Sequence, residues 1–141
     1  MTELAIGTWV ATAFIGAYMW SFTADSGRPE SNARATRLSP LMLFVHPLLG
    51  LTGFTAWLAF VYSDIPELAW VALGFLLLGA VIGDVLTVRT VRGGDEASAV
   101  PGQAVADRTY AESRIPRIAI MTHGVLALST IGLVLGGALT A

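Results

Sequence analysis

Residues 37–62 read RLSPLMLFVHPLLGLTGFTAWLAFVY. After Arg37 this run contains no Asp, Glu, Lys or Arg. Ser39 and Pro40 stand where a helix takes its N-cap and first residue. About 20 apolar residues wound as a helix cross the roughly 30 Å of a bilayer's hydrocarbon. The run is therefore read as a membrane-spanning helix over about 40–62.

Three further runs of the same kind surround it, over about 3–22, 68–88 and 116–140. Asp64, Pro66 and Glu67 mark a short turn after the first-quoted run. Across the 141 residues, 55% are hydrophobic and 13% charged, whereas a soluble domain carries about 25% charged residues. The expected fold is all-α: an up-down four-helix transmembrane bundle in one domain, 1–141. Met1-Thr2-Glu3-Leu4 lacks the basic start of a secretory signal peptide, so the first run is expected to be a retained helix.

The chain has no cysteine, which excludes disulfides, thiolate zinc sites and iron–sulfur ligation. No basic patch with interleaved aromatics is present, so nucleic acid is not an expected partner. The lipid bilayer is.

Charge orients the helices. All eight basic residues are arginines. Arg28, Arg34 and Arg37 fall between the first and second helices; Arg89, Arg92, Arg108, Arg114 and Arg117 fall between the third and fourth. In a four-span chain those two loops share one side. The positive-inside rule makes that side cytoplasmic and puts both termini on the other. The all-arginine usage, a habit of high-GC genomes, points to a bacterial plasma (inner) membrane. Tyr18 and Trp20 near one end, and Trp9, Tyr62 and Trp70 near the other, are placed in aromatic belts. The segment 89–115 has little apolar periodicity and is expected to be a mobile cytoplasmic loop, partly helical at most.

The chain's two histidines, His46 and His123, both lie inside apolar runs. Residues 37–46 and 114–123 align on them: an Arg stands nine residues before each His and a Pro six or seven before. Leu49 then pairs with Leu126, Gly50 with Ala127, Leu51 with Leu128 and Thr52 with Ser129. This internal repeat implies two related helix pairs about an axis along the membrane normal. Helices two and four would run parallel and diagonally opposed, each His about 9–10 Å from its helix start at 1.5 Å per residue.

Two imidazoles at one level within lipid call for a common partner. A haem iron held between them meets that need. Gly50 and Gly53 keep one face of helix two clear of side chains, and Ala127 does so on helix four. Arg37, Arg89, Arg114 and Arg117 sit at the edge where propionates would emerge. Pro47 removes a backbone donor and frees the Leu43 carbonyl. Asp84, at similar depth on helix three, is a candidate to accept the second ring N–H of a histidine, or to relay protons. Its alternative role is pairing with Arg at the interface. A non-haem site of His46, His123 and Asp84 is a rival, as are histidines that only hydrogen-bond to neighbouring helices. The glycines of helix three (Gly74, Gly79, Gly83) and helix four (Gly132, Gly136, Gly137) are read as helix-packing residues.

With FVHPLLGLTG at 44–53 and MTHGVLALS at 121–129, the chain resembles small integral-membrane b-type cytochromes. It also resembles uncharacterised four-span actinobacterial proteins. The first resemblance implies a four-helix bundle holding haem b by two histidines and carrying electrons. Many such cytochromes have two His pairs and two haems that pass electrons across the membrane. The single pair here implies one haem b per chain, and electron exchange with quinone or a redox partner subunit near the inner side. A homo-oligomer is an open expectation. A different class of function, a non-redox accessory or assembly subunit of a larger membrane complex with structural histidines, also fits the residues, and a proton-coupled carrier using Asp84 is a third reading.

Overall fold

The computed structural model describes residues 2–24, 36, 38–98 and 110–141. Four helices make it up: α1 (Thr2–Ala24), α2 (Pro40–Ser63), α3 (Pro66–Ser98) and α4 (Arg117–Leu139). A 3-10 turn, η1 (Ala111–Arg114), precedes α4. Each α-helix contains a stretch long and apolar enough to cross a membrane. The protein is an all-α, four-helix, multi-pass membrane bundle.

The helix ends follow local chemistry. Pro40 opens α2, where a missing N–H is no loss. Ser39 takes the N-cap position, but its side chain makes no capping bond; its carbonyl accepts from Leu43 N–H at 3.0 Å. Asp64 ends α2 in the left-handed region (φ 55°) and donates its N–H to Phe60 O at 2.9 Å. The turn to α3 is tighter than the sequence suggests, because Pro66 already starts the next helix. α2 is continuous through Pro47.

Inside and outside are reversed relative to a water-soluble bundle. Leu4, Phe14, Leu41, Leu51 and Leu128 are all exposed, whereas Ala5, Ala69, Ala72 and Ala138 lie in the core. Lipid solvates large apolar side chains as well as other side chains do, so helices meet through small residues that let backbones approach. Hydroxyls are retired onto their own helices: Thr12, Thr52, Thr55 and Ser129 each bond the carbonyl four residues earlier.

Two tryptophans complete the core at the end away from the arginines. Trp57 is fully buried and Trp9 is 5% exposed. A Cβ on Gly137 would come within 2.6 Å of Trp57 Cη2, and one on Gly53 within 3.2 Å of Trp9 Cζ2. Each indole fills the space a glycine leaves. Trp9, which also packs on Phe54 with ring centroids 5.6 Å apart, is therefore a core residue and not part of the expected belt. Tyr18, Trp20, Tyr62 and Trp70 are exposed.

α3 continues ten residues beyond its expected end at Val88, to Ser98. The first part of the expected 89–115 loop is thus helix. The loop's other end is structured too: η1 packs on α3 and α1, burying Ala111 and Glu112, with Thr23 and Thr90 also buried. The middle of that loop, 99–109, lies outside the described residues.

Candidate functional site

α2 packs most extensively against α3, and α1 against α4; α1 and α2 touch least among the paired helices. The bundle is thus two tight pairs meeting along a looser seam. His46 on α2 and His123 on α4 meet there, with ring centroids 6.1 Å apart and ring planes at 59°. Each is six residues into its helix, about 9 Å along the axis, and each is half-buried.

Both rings are anchored the same way. His46 Nδ1 lies 2.9 Å from Gly79 O on α3. His123 Nδ1 lies 3.0 Å from Thr12 O on α1. A carbonyl oxygen has no hydrogen to give, so each Nδ1–H is the donor, and in the neutral ring Nε2 then carries the lone pair. No hydrogen bond to either Nε2 occurs among the described residues. Each ring also lies on a glycine of the anchoring helix. A Cβ on Gly83 would sit 3.0 Å from His46 Cε1, and one on Gly16 would sit 3.1 Å from His123 Cε1.

The two anchors are built at matching spacings on α1 and α3. Thr12 and Gly16 on α1 correspond to Gly79 and Gly83 on α3. The same spacing pairs Ala5 with Ala72 and Thr23 with Thr90, all four buried. Sequence reasoning found the repeat in α2 and α4 but not in α1 and α3. In the sequence Gly79 and Gly83 read as packing residues, and Thr12 and Gly16 carry no distinguishing signal. The available signal was a glycine four residues past a potential carbonyl acceptor, which is too common to stand out.

The other candidate residues divide. Gly50 has open space where a side chain would be, whereas a Cβ on Gly53 would meet Phe75, Ala72 O and Trp9 within 3.1–3.2 Å; Gly53 serves helix packing. Arg89, Arg114 and Arg117 are exposed at the histidine end of the bundle, and Arg37 lies outside the described residues. Asp84 is exposed on α3, and the acceptor role proposed for it is taken by Gly79 O. Among the described residues no group of three or more His, Asp or Glu stands ready to hold a metal, so the His46–His123–Asp84 triad is not assembled. A concavity of about 370 Å³ lined by Thr2, Phe60, Asp64, Gly137, Thr140 and Ala141 opens at the far end of the bundle, remote from both imidazoles.

Comparison of the chain with protein-family models, curated proteins and solved structures gave no match.

Proposed function

We propose that the protein is a membrane b-type cytochrome in which His46 and His123 hold one haem b in the seam between the two helix pairs. The observation that carries this reading is the His pair itself. The two rings lie with centroids 6.1 Å apart at the same depth of α2 and α4, so His46 and His123 are the residues that would hold the haem iron. The Nδ1–H anchors support it as well. A ligating histidine commonly donates its other ring N–H to a backbone carbonyl, which fixes the tautomer and raises the basicity of the ligating nitrogen. Gly50, one turn past His46, has open space where a side chain would be, and Arg114 and Arg117 suit the binding of propionates at the bundle's edge.

When bound, haem supplies a one-electron redox couple. The protein's own residues orient it: each helix pair presents one imidazole, and the tryptophan-filled half of the bundle closes the site on the other side. By the positive-inside rule the histidine end faces the cytoplasm, with both termini outside, in a bacterial inner membrane. Electron exchange with a quinone or a partner subunit belongs on that side.

A second reading has its own supporting observation. Both Nδ1–H groups are already satisfied by backbone carbonyls, so the histidines can tie α2 to α3 and α4 to α1 with no ligand at all. That suits a non-redox accessory subunit. Absorption spectroscopy separates the two. Detergent-purified protein produced with haem supplied is expected to show a Soret band and, on reduction, sharp low-spin bands. A folded protein that takes up no haem leaves the accessory reading.

A further inference from the structure

In an α-helix the carbonyl of residue i accepts the N–H of residue i+4. The side chain of i+4 leans back over the same turn. A neighbouring side chain reaching for carbonyl i must therefore pass the Cβ of i+4. Both histidine anchors are built at this spacing. Thr12 O is the intrahelical partner of Gly16 N–H, and Gly79 O is that of Gly83 N–H. In each case the residue whose Cβ would obstruct the imidazole is glycine, and the ring occupies the vacated space. The other lone pair of the carbonyl receives the imidazole N–H.

We propose that Gly16 and Gly83 are positioning residues for the two histidines. Each lets an imidazole share a helix carbonyl with the glycine's own N–H, holding both rings in the Nδ1–H tautomer before any metal arrives. Two features separate this role from ordinary close packing. The contact falls on the Cε1 edge of a histidine in both cases, and it recurs at the same four-residue spacing on α1 and α3. Gly7 and Gly74, on the same two helices, have open space where a Cβ would be and serve as internal controls.

The inference deepens the haem reading but depends on it only for the identity of the ligand. Nitrogen NMR of the full-length haem-free protein in detergent reads the tautomers directly. Wild type is expected to hold both histidines as Nδ1–H. Gly83→Ala should shift His46 toward the Nε2–H form and leave His123 alone, and Gly16→Ala should do the converse. Gly74→Ala and Gly7→Ala should change neither. In haem-supplied protein, Gly16→Ala and Gly83→Ala should each weaken haem retention by about 10–100-fold, the usual effect of removing a ligand's outer support. They should also alter the anisotropy of the ferric EPR signal, which reports the angle between the imidazole planes. Nε2–H histidines in the wild type overturn the proposal even if neither glycine variant folds. So do unchanged tautomers in folded Gly16→Ala and Gly83→Ala. The expected tautomers without any haem uptake uphold the cradle and remove the haem reading.

Discussion

Among the described glycines, Gly137 is the one whose added Cβ would meet a neighbour most closely, the ring of Trp57. The indole is fully buried and its Nε1 has no hydrogen-bond partner, so its contribution comes from packing. Gly137→Ala puts a methyl within 2.6 Å of the ring. That overpacking should destabilise the detergent-solubilised protein by about 1–3 kcal/mol. Combined with Trp57→Leu the penalty should largely disappear, which a double-mutant cycle of unfolding free energies measures. The histidines stand out in the sequence because a titratable ring is expensive in lipid and the chain has only two. Their partners are invisible there: a backbone carbonyl has no side-chain signature, and Thr12 and Gly79 share nothing but that carbonyl.

At the level of the helices, the two pairs are built alike and filled differently. On the α1–α4 pair, Thr130 donates to Thr8 Oγ1 at 3.0 Å. The corresponding position on the α2–α3 pair is Gly53, set against Phe75 and Ala72 O. Hydrogen bonds between membrane helices average about 0.6 kcal/mol, so Thr130→Val should cost less than about 1 kcal/mol. Gly53→Ala forces a methyl against a backbone oxygen and two aromatic residues and should cost about 1–3 kcal/mol. Unfolding in detergent, with the two variants side by side, checks the order. Helix number and approximate spans were legible because an uncharged run of that length has no other stable place. The ends were less so. α3 passes its apolar stretch by about two turns to Ser98, where hydrophobicity gives no guide. Trp9 reads as a belt residue in the sequence because nothing local distinguishes an indole facing headgroups from one filling the space over Gly53.

The described molecule has two unlike halves: one packed with Trp9, Trp57 and alanines, the other carrying the histidine pair, Arg89, Arg92, Arg114, Arg117 and η1. All eight arginines fall, in sequence, between the apolar stretches of α1 and α2 or between those of α3 and α4, which predicts a single orientation. The chain has no native cysteine, so single-cysteine labelling in intact cells is clean. Ser63→Cys should react with a membrane-impermeant thiol reagent and Arg92→Cys should not until the membrane is opened; the reverse pattern inverts the topology. The central claim, one haem held by both histidines, is tested most directly by the reduced-minus-oxidised spectra of His46→Ala and His123→Ala, each purified with haem supplied. Each substitution alone should abolish the low-spin bands of the wild type. A variant that keeps them intact would contradict bis-histidine ligation.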